Sequence, residues 1–295
     1  MVRPIGNIQR VSKPNSRELE SIYHIKCPSS SGLHCRSEVL RNYRANFSKP
    51  YNALALDYDG TLVSLFNRTG RLSRAIVNSI NNFLNGETPV VIISGRGECL
   101  LRLRQQLAKS RLDTLFLAMY NGAEIVEAKS GGIVRKENSI FSLNRVFQLL
   151  TENSNIFPTK VKIVQKPYSI QMQVSERSML RLDELCRRVS TILPHAFAVR
   201  SSGYAVDVYP RAKMKDYCLR LINERFDMRL NFVRVGDQGH ELGNDFELLS
   251  RRGSFSVGTV STDKRTCFPV VDEGGNRLLG VKGCIHLLNH TFQLL

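Results

Sequence analysis

The sequence has no tryptophan, comparatively little negative charge and no long apolar stretch. Its 26 Asp and Glu stand against 42 Lys and Arg, which gives a formal net charge of +16. No apolar run approaches the roughly 18–20 residues that cross a bilayer, so we expect no transmembrane protein and no membrane partner. The N-terminus lacks the apolar segment of a secretory signal. With 42% hydrophobic and 23% charged residues, wholesale disorder is excluded as well.

A regular cysteine framework is also missing. The seven cysteines are odd in number and scattered, which favours a reduced, cytoplasmic protein. His24, Cys27, His34 and Cys35 lie near one another, but their spacing matches no regular zinc motif.

The surplus positive charge indicates three classes of partner: nucleic acid, an anionic membrane surface or a small phosphorylated substrate. Composition does not choose among them. The aromatic residues form no basic-aromatic stripe of the kind that stacks bases, and this disfavours nucleic acid. The sequence does not indicate an oligomeric state.

Residues 1–50 differ from the rest of the chain. They are polar, basic and rich in proline, and we interpret them as an N-terminal extension with one helix near 36–46. From residue 51 onwards, apolar strands alternate with amphipathic helices, which is typical of right-handed βαβ units and a parallel sheet. The predicted strands lie near 53–56, 89–93 and 114–119, and the helices near 72–84 and 97–109.

The pattern changes over residues 123–208. A hairpin signature around Lys129–Gly132 is followed twice by the order helix, strand, strand, which predicts an antiparallel sheet with helices on one face. After residue 209 the parallel pattern returns, with helices predicted near 214–226 and 244–251 and strands near 231–235 and 254–257. We therefore predict an α/β protein whose parallel-sheet core, 51–122 with 209–295, is interrupted by an inserted α+β domain, 123–208.

Two aspartates follow the first buried strand in Asp57-Tyr58-Asp59-Gly60-Thr61. Ligands bind beyond the carboxyl ends of strands in open parallel sheets, so this turn is a candidate site. Gly60 permits a tight turn and the close approach of a phosphate. The alternative is a structural Asx-turn.

A second acidic pair, Gly236-Asp237 with Asn244-Asp245, follows another predicted buried strand. Carboxylates that converge from two strand ends repel one another unless a cation lies between them, and hard oxygen ligands suit Mg²⁺. The alternative for Asn244 or Asp245 is to cap the helix that follows.

Polar residues at three other element ends complete the set. Ser94 ends the second strand in Ser94-Gly95-Arg96, where its hydroxyl and the following N–H groups can bind phosphate. Lys215 begins a helix, where it can neutralise phosphate charge, and by position alone Lys213 is a close rival. Asn121 follows the third strand and is either part of a pocket or a plain turn residue.

These elements, in this order, resemble the haloacid dehalogenase superfamily, and specifically its phosphatases with a large α/β cap. The resemblance covers about residues 51–290. Asp207–Leu219 is similar to the third motif of phosphomannomutases, in which the aligned lysine falls five residues after the proline; this selects Lys215 over Lys213. The expected Arg-Asn-Gly-Met segment of that mutase is missing, and trehalose-6-phosphate, Cof-type and sucrose-phosphate phosphatases have a similar architecture.

The resemblance implies a Rossmann-like core with a cap and a role for each acidic residue. Asp57 is expected to be the nucleophile that forms an aspartyl-phosphate. Asp59 is expected to act as general acid and then as general base. Mg²⁺ is expected on the Asp57 and Asp237 carboxylates and the Asp59 carbonyl.

The same resemblance assigns the remaining residues. Lys215 and Ser94 are expected to balance the charge of the phosphoryl group. Asn244 and Asp245 are expected to orient Lys215 or a metal-bound water. The phosphate pocket is expected to be lined by Gly60, Thr61, Gly95, Arg96 and Asn121.

The predicted function is a Mg²⁺-dependent phosphatase for a small phosphorylated metabolite, with a sugar phosphate favoured. One alternative is a phosphosugar mutase like phosphomannomutase, and another is a non-catalytic phospho-ligand-binding protein. Basic residues of the inserted domain either read the substrate or form a solvated face: Arg135, Lys136, Lys160, Lys162, Lys166 and Arg200.

Overall fold

A computed structural model of the chain describes residues 15–27, 33–47, 51–65, 71–107, 109–136, 141–157, 160–174, 179–211 and 215–291. The α-helices in these ranges are α1 Ser16–Lys26, α2 Leu33–Phe47, α3 Arg74–Asn85, α4 Phe141–Glu152, α5 Met179–Ile192, α6 Lys215–Asn223, α7 Phe246–Leu249 and α8 Gly280–Thr291. The strands are β1 Ala53–Asp57, β2 Val90–Ile93, β3 Leu115–Met119, β4 Glu124–Glu127, β5 Ile133–Lys136, β6 Val161–Gln165, β7 Ile170–Val174, β8 Phe197–Ser201, β9 Ala205–Pro210, β10 Phe232–Gln238, β11 Ser254–Thr259 and β12 Phe268–Pro269.

Eight strands form one large sheet in the order β12-β11-β10-β1-β2-β3-β4-β5. Strands β12 to β3 run parallel, and β1 lies between β10 and β2. Every residue of β1 and β2 is buried, as expected for apolar strands covered on both faces. Because β1, β2 and β10 are neighbours, the polar residues at their carboxyl ends meet at one edge of the sheet.

The hairpin β4–β5 extends this large sheet, contrary to our placement of residues 123–136 in the inserted domain. β4 pairs antiparallel with β3, with Ala118 opposite Ile125. The buried apolar residues Ile125 and Val126 complete the core of the sheet, and a short turn after β3 is sufficient for antiparallel pairing.

The second sheet has four antiparallel strands in the order β6-β7-β9-β8. Helices α4 and α5 cover one face, where alternate residues such as Met172 and Val206 join their apolar core. The other face carries Gln171 and Asp207. The predicted α/β fold class with an α+β cap is thus confirmed, whereas the exact domain limits stay a prediction.

The N-terminal segment contains two helices, α1 and α2, where we predicted an extension with one. Ile22, Val39 and Tyr43 are buried in the core of the large sheet, so the described part of this segment packs against the fold. The missed helix has a recognisable start, because the Asn15 side chain accepts a 2.9 Å hydrogen bond from the Glu18 N–H.

Three other helices differ from the prediction. The helix expected over 97–109 is instead a 3-10 helix over Glu98–Gln105, which begins with an i→i+3 bond from the Leu100 N–H to the Gly97 carbonyl. The helix predicted over 214–226 ends at Asn223, and that predicted over 244–251 is the single turn α7.

The cysteine prediction is wrong for one pair, because the sulfur atoms of Cys27 and Cys35 form a disulfide between α1 and α2. These two thiols are therefore not zinc ligands. The predicted cytoplasmic location loses the support of cysteine usage and stays a prediction. None of the described helices is long and apolar enough to cross a membrane.

Candidate active site

Lys215 joins two carboxylates at the carboxyl edge of the large sheet. Its Nζ donates to Asp57 Oδ1 at 2.5 Å and to Asp245 Oδ1 at 2.6 Å. Asp57 ends β1, Lys215 begins α6, and Asp245 directly precedes α7. All three side chains are almost completely shielded from solvent, so the ammonium group compensates two buried charges.

Asp245 is fixed on its other side by the backbone of β10. Its Oδ2 accepts 3.0 Å hydrogen bonds from the N–H groups of Asp237 and Gln238. Gly236 makes this approach possible, because a Cβ at that position would lie 2.7 Å from the Asp245 carboxylate. The glycine before Asp237 is therefore a packing requirement of this site.

Asp237 lies across the site from Asp57, beside the turn that follows β1. Gly60 has a positive φ of 84°, and a Cβ there would overlap with the Asp237 carboxylate. Only glycine satisfies both the backbone conformation and the close approach. Asp237 Oδ2 accepts a 3.0 Å bond from the Gln238 side chain, a contact that sequence reasoning did not predict.

The electrostatics of this group favour a bound cation. Burial and then the negative charge of Asp245 raise the pKa of Asp57 to about 8. The same two causes raise the pKa of Asp237 well above its ordinary value. Although burial alone lowers the pKa of Lys215, the adjacent Asp245 and Asp57 carboxylates raise it overall, so the lysine is charged.

A divalent metal ion fits these residues. Oxygen atoms of Asp57, Asp237 and Asp245 lie within 4.8 Å of one another. Asp57 Oδ2 is buried and has no hydrogen-bond partner among the described residues. Three ionised carboxylates and one ammonium sum to −3 + 1 = −2, which a divalent cation neutralises. The carboxylate oxygens of Asp245 already accept hydrogen bonds from Lys215 and from two backbone N–H groups. The carboxylate oxygens available to bind a metal ion therefore belong to Asp57 and Asp237.

The Asp59 carboxylate lies outside this metal group and is held by Arg96. The guanidinium Nη2 donates to Asp59 Oδ1 at 2.7 Å, and Nε contacts both oxygens at 3.1 Å. The buried Ser94 hydroxyl adds a 3.4 Å contact to Asp59 and accepts a 3.0 Å bond from the Arg96 N–H. Arg96, expected to bind substrate, therefore contacts the expected acid.

The other predicted pocket residues surround the same point. Thr61 is fully buried, and its hydroxyl has no partner within the described part of the chain. Asn121 has a φ of 58°, and its side-chain amide lies beside the position of a Cβ at Gly95. Gly60, Thr61, Gly95 and Asn121 thus lie at adjoining strand ends of one sheet edge.

A family model of haloacid dehalogenase-like hydrolases matches residues 54–155, which contain Asp57, Asp59 and Ser94. This segment, about a third of the chain, is similar to that family. The large parallel sheet of the chain, with a polar site at its carboxyl edge and a second sheet inserted between β5 and α6, has the haloacid dehalogenase-like fold expected from the sequence. Among curated protein sequences, none matches the chain significantly.

Solved structures with this fold resemble most of the chain. The IMP-bound, N-terminally truncated IMP-nucleotidase of Plasmodium falciparum has a TM-score of 0.60 and 12% identity, and the match covers 94% of this chain and 80% of that chain. A haloacid dehalogenase-like hydrolase from B. subtilis has a TM-score of 0.55 and 15% identity, and the match covers 81% of this chain and 99% of that chain. A subclass IIB sugar phosphatase has a TM-score of 0.51 and 16% identity, and the match covers 72% of this chain and 90% of that chain. At these identities the likeness shows a common fold.

The loop after Asp237 joins the core to the second sheet. The Ser201 N–H donates to the Leu242 carbonyl at 2.7 Å, and the Asn244 N–H donates to the Ser201 carbonyl at 2.9 Å. Asn244, expected to orient Lys215, thus contacts the cap through its backbone, and its buried Oδ1 has no partner among the described residues. Its predicted role stays a prediction.

The cap presents a buried carboxylate that sequence reasoning missed. Asp207 accepts a 3.1 Å bond from Gln171, and the two residues face each other across β7 and β9. Burial raises the pKa of Asp207, and the nearby Lys166 and Lys215 oppose that effect. The signal was the alternation of β9, in which Ala205, Asp207 and Tyr209 share one face.

The basic residues that we predicted for the inserted domain separate into different roles, and two of them, Arg135 and Lys136, lie on β5 of the large sheet. Arg200 pairs with Glu247 of α7 through a contact from Nε of 2.8 Å, so it joins cap and core. Lys136 forms an ion pair with Glu124 at 3.7 Å. Arg135 stacks over the Tyr217 ring, with its Cζ 4.6 Å from the centroid. Lys160 and Lys162 are exposed. The rival lysine, Lys213, lies outside the described residues.

Proposed function

We propose that this chain is a Mg²⁺-dependent phosphatase that hydrolyses a phosphate monoester of a small metabolite through an aspartyl-phosphate. The observation that carries the proposal is the buried Asp57 carboxylate, which has one oxygen on Lys215 and the other without a partner. A purely structural aspartate has no reason to keep such an oxygen buried and unpaired. A nucleophile, in contrast, needs an unpaired oxygen that can reach the phosphorus atom of the substrate.

The residues support a double displacement in which each proton has a donor and an acceptor. A carboxylate oxygen of Asp57 attacks phosphorus, and Asp59 donates a proton to the departing alkoxide. The aspartyl-phosphate is then attacked by water, and Asp59 takes the proton that this water loses. Phosphate leaves, and both carboxylates return to their starting states.

The surrounding groups supply the charge balance. Asp57 and Asp237, with the Asp59 carbonyl, would hold Mg²⁺, which would supply positive charge to offset that of the transferring phosphoryl group. Lys215 provides a fixed positive charge on the opposite side of Asp57, and Asp245 prevents it from moving. Ser94, Thr61 and the N–H groups around Gly95 are positioned to donate to phosphate oxygens.

We favour a sugar phosphate as substrate, with nucleoside monophosphates as a second class to include in the test. Two of the similar solved structures are a sugar phosphatase and an IMP-nucleotidase, which act on different leaving groups with the same fold. In this chain, Asp207 and Gln171 on the cap offer acceptors and donors that suit hydroxyl groups of a sugar.

A phosphate-release screen tests the proposal. The purified full chain is incubated with a panel of sugar phosphates and IMP, with Mg²⁺ or EDTA, and with or without a sugar 1,6-bisphosphate. We expect Mg²⁺-dependent release of inorganic phosphate from at least one member. Bisphosphate-dependent isomerisation without release identifies a mutase instead. Binding without any turnover identifies a phospho-ligand-binding protein.

A further inference from the structure

The helical hairpin α1–α2 holds the loop between β11 and β12, residues 260–267. Lys26, the last residue of α1, is 4% exposed, and its Nζ donates a 2.8 Å hydrogen bond to the Ser261 carbonyl. The same ammonium lies 5.6 Å from the centre of the Phe268 ring. A buried cation that ends on a loop carbonyl fixes that loop relative to α1.

Helix α2 adds three contacts to the same loop. Asn42 donates to the Lys264 carbonyl at 3.3 Å, and Asn46 donates to the Arg265 carbonyl at 3.0 Å. The Lys264 ammonium pairs with Glu38 at 3.2 Å. Both helices of the hairpin therefore contact the β11–β12 loop.

The β11–β12 loop in turn contacts residues 237–245. This segment carries two of the site aspartates and is here named the metal loop. Glu241, at its tip, accepts bonds from the Thr262 N–H at 2.8 Å and from the Thr262 hydroxyl at 2.6 Å. Nearer to Asp237, the Gly239 N–H donates to the Thr259 carbonyl at 3.0 Å. Thr262 directly follows Ser261, so one short loop connects Lys26 to the metal loop.

The disulfide lies at the anchor point of this connection. Cys27 is the neighbour of Lys26, and its bond to Cys35 ties the end of α1 to the first turns of α2. Breaking the bond removes the covalent link between the two helices next to the residue that carries the buried ammonium. The predicted consequence is a looser β11–β12 loop and a looser metal loop.

We infer that the α1–α2 hairpin is a positioning element for the metal loop, and that the Cys27–Cys35 disulfide controls it. Oxidised, the hairpin keeps Glu241 and Asp237 in place through Lys26, Ser261 and Thr262. Reduced, it lets the metal loop move and weakens cation binding. The inference rests on the proposed metal site at Asp57 and Asp237.

The switching step is an ordinary thiol–disulfide exchange. A dithiol attacks the Cys27–Cys35 bond through its thiolate, and a mixed disulfide forms and is resolved by the second thiol of the reagent. Two electrons and two protons pass to the cysteines, which become thiols, and the dithiol becomes a disulfide.

The test measures Mn²⁺ binding rather than activity. Free Mn²⁺ is counted by electron paramagnetic resonance with the oxidised full chain, with the chain reduced by dithiothreitol and freed of reagent without air, and with the Cys27→Ser, Cys35→Ser double variant. We expect the Mn²⁺ Kd to rise about five- to tenfold in the last two, a size typical of coupling between sites.

Two single variants make the test independent of folding defects. Glu241→Gln changes an exposed residue, and we expect it to raise the Mn²⁺ Kd to the same extent and to leave reduction without further effect. Asp227→Asn changes an exposed carboxylate outside the β11–β12 loop; it is the control and should leave the Kd unchanged.

The two proposals fail differently. If Asp237→Asn leaves Mn²⁺ binding intact, the metal site and the proposed function are wrong. If Asp237→Asn abolishes binding, but reduction and Glu241→Gln leave the Kd within twofold of the oxidised chain, the control by the hairpin is wrong and the metal site stands.

Discussion

Arg96 and Asp59 form a forked ion pair in which Nη2 and Nε of the arginine contact both oxygens of the carboxylate, with a shortest distance of 2.7 Å. Such a pair fixes the carboxylate in one plane and keeps its position relative to Asp57. Since Asp59 is the proposed proton donor, Arg96 is a positioning residue for the acid as well as a candidate phosphate ligand.

Arg96→Ala is therefore expected to damage the acid function selectively. We expect kcat for a sugar phosphate to fall about 10- to 100-fold, which at most reaches the lower limit of the 10²–10⁴ range that general acid–base catalysis contributes, because the acid itself is kept. Asp59→Ala should show the same selectivity more strongly. The measurement compares a sugar phosphate with an activated aryl phosphate, whose leaving group needs no proton. Equal losses on both substrates contradict the acid role of Asp59.

Asp57→Asn is expected to abolish turnover while the fold is retained. The variant removes the nucleophile, and because it also removes one of three crowded carboxylates, we expect the Tm without metal to stay the same or rise. A loss of about 10³-fold or more in kcat fits a missing covalent step. Asp227→Asn, an exposed position away from the site, is the control. Substantial residual turnover in Asp57→Asn contradicts the assignment of the nucleophile.

Much of this site follows from the order of residues at strand ends. The buried strands 53–57, 90–93 and 232–238 are apolar enough to identify as neighbours in a parallel sheet, so Asp57, Ser94 and Asp237 had to meet at one edge. The contacts between Lys215 and both Asp57 and Asp245 follow from the same topology.

What the sequence did not reveal depends on three-dimensional pairing. The hairpin β4–β5 has the same local pattern in either sheet, and only the covered apolar side of β3 decides its place. Helix α1 is mostly polar, and a single fully buried residue, Ile22, anchors its middle. The partners of Arg96 and Arg200 are carboxylates 37 and 47 residues away, a separation that no local pattern encodes.

The contribution of Asp57 to the stability of the metal-free chain should fall as pH rises from about 4 to about 8. The folded pKa of Asp57 is raised from the ordinary 3.8 to about 8 by burial and by Asp245, so the folded state holds the extra proton in this window. Stability rises with pH only where the unfolded state binds more protons, and here the opposite holds. Protonation of Asp237, whose pKa is also raised, adds to the effect.

Mg²⁺ should cancel this dependence, because it binds the ionised carboxylates. We expect the gain in Tm on adding Mg²⁺ to be a few degrees larger near pH 8 than near pH 5, at about 2–4 °C for each kcal/mol in a chain of this size. Thermal unfolding with Mg²⁺ or EDTA across this pH range measures it. Asp57→Asn should reduce the difference, and an equal gain at both pH values contradicts the shared cation site.

Asp207 gives the sharpest prediction for substrate choice, because it is a buried carboxylate on the cap face that carries Gln171. Replacing it with asparagine keeps its size and an oxygen for the 3.1 Å bond from Gln171, so the cap should stay folded. The loss is one negative charge and one acceptor. We expect KM for the preferred sugar phosphate to rise about tenfold, the cost of one hydrogen bond to a charged group, with kcat for a small aryl phosphate unchanged.

Glu152→Gln, on the exposed end of α4, is the control within the cap. A fall in kcat on both substrates without a change in KM would show that Asp207 supports the fold or the chemistry instead of reading the leaving group.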